Sequence, residues 1–119
     1  MLSYKNIIKK IEQLEEANIL ISAFELNIFS ILKNKSLSSK QVVKTAKTNL
    51  EATELLLNAL AAMGALYKIK NLYKNTPVTY KYFCISSPDF KKGTMMLKTD
   101  GRGEYEKLLK VIQKGRNIK

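Results

Sequence analysis

Leu55-Leu56-Leu57-Asn58-Ala59-Leu60-Ala61-Ala62-Met63-Gly64-Ala65-Leu66 is the decisive stretch, followed a few residues later by Tyr73-Lys74-Asn75-Thr76-Pro77. Leucine and alanine up to Met63, interrupted only by Asn58, predict a helix, with Leu55, Leu56, Leu60 and Met63 turned to a core. Gly64 supplies the left-handed stop, because a glycine pays no steric cost at positive φ. Ala65 to Ile69 and Leu72 to Asn75 then read as two extended runs joined at Lys70-Asn71, a pair that can turn because Asn tolerates positive φ. A glycine-terminated helix followed by a short hairpin is the pattern of a winged helix-turn-helix. Such domains either read DNA or hold chains together.

Working backwards, Asn49 is placed to cap the Leu55 helix, and Glu51 and Glu54 occupy its first turn, where carboxylates suit the helix dipole. Upstream, Leu37-Ser38-Ser39-Lys40-Gln41-Val42-Val43 carries a full helix-start signal. Ser38 caps, Gln41 completes a capping box and Leu37 can staple onto Val42, giving a short helix that ends near Lys47. Ile19 to Leu32 is apolar nearly all round and predicts a helix needing cover on several sides, which a second chain can supply. From Tyr4 to Glu16 the positions Ile7, Ile8, Ile11 and Leu14 recur at three- and four-residue spacing, the mark of an amphipathic helix. Working forwards, Thr76-Pro77 and Ser87-Pro88-Asp89 each read as a cap with proline in the first turn of a helix. Asp100-Gly101-Arg102-Gly103 is a break. Glu104 to Lys114 returns to helical spacing through Tyr105, Leu108, Leu109 and Ile112, and Gly115 ends it.

The expected fold class is therefore mainly α: a winged helix-turn-helix-like domain with a short β-hairpin wing and additional N- and C-terminal helices. At 119 residues the chain is one domain's worth of material, assigned to residues 1–115, with 116–119 as a truncated linker. No window resembles a membrane span, and Lys5, Lys9, Lys10 and Glu12 interrupt any signal-peptide pattern, so a cytoplasmic location is expected. The chain has no histidine and one cysteine, Cys84, which removes the commonest general base and any credible zinc site.

The net charge of +11 raises a nucleic-acid hypothesis. Only Arg102 and Arg116 among the 21 basic residues are arginine, whose planar fork recognises bases and phosphates bidentately. The Leu55 helix would present Glu51, Thr53, Glu54 and Asn58 to DNA and has no Lys or Arg between Glu51 and Gly64. Lys68, Lys70 and Lys74 on the wing could touch a phosphate backbone. A small dimeric DNA-binding regulator is thus the alternative reading, and a solvated hairpin is the simpler account of the wing. Catalytic constellations are poor. Gly101-Arg102-Gly103 is a lone GxG without a preceding strand, and Glu15, Glu16, Glu104 and Glu106 read as solvated charge. Phe90, Met95 and Met96 form an apolar cluster best explained by packing.

Taken in order, AFELNIFSIL (23–32), LSSKQVV (37–43), NLEATELLLNALAAMGAL (49–66), ALYKIKNLYKNTP (65–77) and SSPDFKKG (86–93) resemble the N-terminal dimerisation domain of S-adenosylmethionine-dependent O-methyltransferases. This class includes plant caffeic-acid, hydroxyindole and bacterial antibiotic O-methyltransferases. The likeness runs from about Ala17 to Gly115. Leu55, Leu56, Leu60, Gly64 and Leu66 fit the family's leucine-rich helix, and Tyr73-Lys74-Asn75-Thr76 fits its wing. Asn27 stands where the family pattern has glycine, and Ser30 where it has aspartate. The resemblance implies a homodimer with Ile11, Leu14, Ile21, Phe24 and Ile28 at its interface, no catalytic, cofactor or metal residue in this chain, and no specific nucleic-acid or membrane partner. It further implies that S-adenosylmethionine binds a separate Rossmann-like domain of an intact enzyme, which methylates a small-molecule hydroxyl. Met95 and Met96 would line the acceptor pocket there. A stand-alone dimeric adaptor built from the same domain is a third possibility.

Overall fold

A computed structural model describes residues 1–90 and 111–113. Helix α1 spans Tyr4–Glu25 and α2 Ile28–Leu32, strand β1 is Leu37–Ser38, and α3 and α4 span Ser39–Ala46 and Leu50–Ala62. Strands β2 (Leu66–Ile69) and β3 (Leu72–Asn75) form the hairpin, and α5 is Pro77–Phe83. The result is a mainly helical chain with a three-stranded antiparallel sheet in the order β1-β3-β2.

The capping signals act as their chemistry requires. The Ser38 hydroxyl accepts from the Gln41 N–H at 3.2 Å while the Gln41 side chain accepts from the Ser38 N–H at 2.8 Å, a reciprocal capping box. The Asn49 side chain accepts from Ala52 N–H at 2.8 Å, and Thr76 with Thr79 forms a second box ahead of Pro77. At the end of α4, Gly64 has φ +82°. The Ala65 N–H donates to Leu60 O at 2.9 Å and the Gly64 N–H to Ala61 O at 3.1 Å, the paired bonds of a Schellman stop.

Several expectations are corrected. The two amino-terminal segments are not separate helices: α1 runs through Glu25, and the break falls at Asn27, whose φ of +60° places it in the left-handed region. Asparagine is among the few residues that tolerate that region, so it can do there what glycine does in the family pattern. On α4, Leu57 and Leu60 are completely buried, whereas Leu55 is 66% exposed. Leu55 lies about 200° round the helix from Leu57, so both cannot face one core. Thr53, expected on the exposed side, is buried and donates to Thr48 Oγ1 at 2.6 Å. In the hairpin turn the positive φ sits on Lys70, at +58°, and not on Asn71. Leu37 and Ser38 also pair with Tyr73 and Leu72 as a third strand, too short to show any alternation in the sequence. At Ser87 the described residues show a turn, in which Phe90 N–H donates to Ser87 O at 3.2 Å, and the remainder of the helix expected from there lies outside the described residues.

The core gathers Ala23, Ile28, Phe29, Leu32, Val42, Leu57, Leu60, Leu66 and Tyr73. Three ring contacts extend it towards α5: Phe29 to Phe83 at 5.5 Å, Phe24 to Phe83 at 6.4 Å edge-on, and Phe24 stacked on Phe90 at 6.1 Å. Ser30 accepts from the Ile85 N–H at 3.0 Å, tying α2 to the chain after α5. The hydroxyl therefore supplies an acceptor at the position where the family pattern has a carboxylate.

Lys33, which closes α2, has φ +53° and ψ −127°, a conformation that costs a side-chain-bearing residue on the order of 1–3 kcal/mol. Glycine has no such penalty but loses about 0.5–1 kcal/mol more backbone entropy on folding. Lys33→Gly should therefore stabilise the chain by about 1 kcal/mol. A higher urea midpoint at unchanged m-value is the expected result, and a lower midpoint would contradict the strain.

Candidate functional site

The surface that stands out is the first half of α1. Ser3 caps the helix by accepting from the Asn6 N–H at 3.1 Å, and the chain then runs four turns with most side chains in solvent. Tyr4 (79%), Ile7 (43%), Ile11 (51%) and Leu14 (62%) are all exposed. Covering such a side chain completely is worth about 1.5–3 kcal/mol, and the four together form an apolar surface on one exposed helix face. The helix joins the body of the domain further on, where Ile19, Leu20 and Phe24 pack against the core and Ala23 is buried.

The five residues expected at an interface fall into three environments. Ile11 and Leu14 lie on the exposed face. Ile21 and Phe24 are half-buried, with Phe24 held between Phe83 and Phe90. Ile28 is wholly buried in the core of its own chain, so it can support a contact surface but presents no side chain to one. Tyr4 and Ile7, absent from the expected set, share the exposed face, and their spacing from Ile11 and Leu14 was the available signal. Met95 and Met96, with the GxG segment, Glu104 and Glu106, lie outside the described residues.

Behind the wing, a buried polar node fixes the body that carries α1. The Asn75 side-chain amide donates to Phe29 O and to Lys33 O, both at 2.8 Å, and so satisfies the carboxyl end of α2. Its oxygen accepts from the Thr79 hydroxyl at 3.3 Å, and that hydroxyl lies 3.0 Å from Ala65 O. Tyr73 donates to Asn58 Oδ1 at 2.6 Å. The Tyr-Lys-Asn-Thr stretch thus ties α2, α4, the hairpin and α5 together.

The face a DNA reader would use is differently equipped. Asn58 Oδ1 already accepts from Tyr73 and, at 2.8 Å, from Lys68 Nζ, so one wing lysine is turned back onto the domain. Lys68 also lies 5.4 Å from the centre of the Tyr73 ring. Glu54 accepts from Ser39 at 3.1 Å, and the adjoining groove is lined by Leu50, Glu51, Glu54 and Leu55, carboxylates and apolar side chains that phosphates do not favour. Cys84 is a free, fully buried thiol with Sγ 3.1 Å from Ser86 Oγ. Among the described residues, no helix is long and apolar enough to cross a membrane and no cluster of three or more His, Cys, Asp or Glu could hold a metal ion.

Comparison with known proteins agrees with this picture. The chain is similar in fold to an O-methyltransferase family protein from Burkholderia thailandensis, with 21% identity and a TM-score of 0.84 over 98% of this chain and 35% of that one. It is also similar to human N-acetylserotonin methyltransferase in complex with SAM, with 24% identity and a TM-score of 0.79 over 97% of this chain and 35% of that one. PigF with SAH aligns at 19% identity and a TM-score of 0.81, over 95% and 34%. The chain thus spans about a third of the length of the structures it resembles. No curated protein sequence matches it. A family model for the O-methyltransferase dimerisation domain matches residues 11–83, and with most of the described fold inside that match the chain belongs to this family of dimerisation domains.

Proposed function

We propose that two copies of this chain associate as a homodimer through the exposed face of α1, and that the dimer serves an S-adenosylmethionine-dependent O-methyltransferase. The observation that carries the reading is the row Tyr4, Ile7, Ile11 and Leu14, left in solvent on a helix of a dimerisation-domain family. Ile21 and Phe24 continue the contact surface, and Ile28 supports it from within. In this reading residues 1–115 are a winged-helix-like association module and 116–119 lead towards a Rossmann-like catalytic domain. That domain binds the methyl donor and transfers its methyl group to a small-molecule hydroxyl, with Met95 and Met96 lining the acceptor pocket. The module itself is catalytically silent. The free thiol of Cys84 suits a reducing cytoplasm.

The comparisons lend no support to the DNA-binding alternative, and Glu51 and Glu54 on α4 argue against it. Light scattering on the 119-residue chain tests the association. A mass of two chains at micromolar concentration is expected, and a monomer at high micromolar concentration would overturn the reading.

A further inference from the structure

We infer that the two α1 helices pair antiparallel, in a register centred between Glu12 and Gln13. The register rests on the homodimer proposed above and comes from the arrangement of residues along one exposed helix. Tyr4, Ile7, Ile11, Leu14, Asn18 and Ile21 alternate three- and four-residue steps, the spacing that keeps one seam facing a partner helix. The seam is symmetric about its midpoint, so reversing one helix lays it on itself. Ile11 then meets the partner's Leu14, Tyr4 meets the partner's Ile21, and Asn18 lies opposite the partner's Ile7.

Charge selects the orientation. Lys5, Lys9 and Lys10 lie on the amino-terminal side of the midpoint and Glu15 and Glu16 on the other, with Glu12 beside the midpoint itself, and all six are exposed. Antiparallel helices set the basic segment of each beside the acidic segment of the other. Parallel helices would oppose lysines to lysines and glutamates to glutamates at separations inside a Debye length, where like charges repel. Packing points the same way. From Tyr4 to Asn18 every position of α1 but Ile8 is exposed, while the last two turns beyond Asn18 are anchored to the core through Ile19, Leu20 and Ala23. An antiparallel pair in this register lays the first turn of each α1, from Tyr4 to Asn6, on the partner's Ile19 to Ile21, beside the apolar groove lined by Leu20, Met63, Tyr67 and Val78. A parallel pair would leave both amino-terminal halves extended together, away from either body.

Lys5→Cys and Glu12→Cys, made separately in the full chain and spin-labelled, test the register, since Cys84 is fully buried. The two positions are seven residues apart and lie on the same face of α1. With a rise of about 1.5 Å per residue and helix axes about 8–10 Å apart, the labelled Glu12 positions of a dimer should be roughly 10 Å apart and the Lys5 positions roughly 25 Å. Equal distances, or a Lys5 separation shorter than that at Glu12, would overturn the antiparallel register while leaving the homodimer in place. Light scattering on the same samples separates the two ideas, because a monomer would overturn both.

Discussion

Ile11→Glu combined with Leu14→Glu should convert the dimer to monomers, raising the dissociation constant by at least about a thousandfold. Both side chains are exposed in the isolated chain, so neither substitution removes a contact from its own core. Across a two-fold axis the change acts on four side chains. Losing only about 1 kcal/mol of burial at each gives about 4 kcal/mol, and four carboxylates confronting one another add to that. Far-ultraviolet circular dichroism should show the fold retained while light scattering reports a single chain. Leu55→Glu provides the control: Leu55 is 66% exposed on α4, about 200° round that helix from buried Leu57, and its replacement should leave the dimer intact. A double variant that remains dimeric at low micromolar concentration would place the association elsewhere on the domain.

The second large effect is expected at Asn75. Asn75→Ala should destabilise the chain by about 2–4 kcal/mol, since it removes both donors from the end of α2 and the acceptor for Thr79 in a buried setting. Asn75→Asp keeps the size but turns a carboxylate oxygen towards the carbonyls of Phe29 and Lys33, so it should cost more than alanine. Urea unfolding of the three proteins checks both the magnitude and the order. A loss under about 1 kcal/mol for alanine, or a milder loss for aspartate, would show that the node does not hold α2 to the wing. As α1 is anchored through the core beside α2, the same variants should weaken association at temperatures where the domain begins to open.

The legible parts of the fold are those in which a few adjacent residues satisfy one another. Ser38 with Gln41, Asn49 with Ala52, Thr76 with Thr79, and Gly64 at its stop all act over three to five residues, and each is where the pattern of residue types puts it. The break at Asn27 was hidden because Ile19 to Leu32 is apolar on almost every side and offers no periodicity to interrupt. Leu55 and Leu57 exchanged their expected places for a related reason. In a run of three leucines only the position of the neighbouring helices decides which one is covered, and here α1 and α3 lie against the face of Leu57 and Leu60.

The candidate surface divides in the same way. Spacing alone marked Ile11 and Leu14 as one face of a helix, and composition alone marked the chain as short of cover for its apolar residues. Whether a given apolar residue meets its own chain or another is a question of what folds over it. Ile28 and Leu14 are equally apolar in sequence, yet one is sealed beneath its own core and the other stands in solvent. By itself the sequence determined the caps, the stop, the hairpin and the family, because these follow from local hydrogen bonding and backbone sterics. Only the tertiary structure decided which apolar face remains free, because burial depends on residues far apart in the chain. Asn75 shows the distance involved, holding carbonyls 46 and 42 positions away.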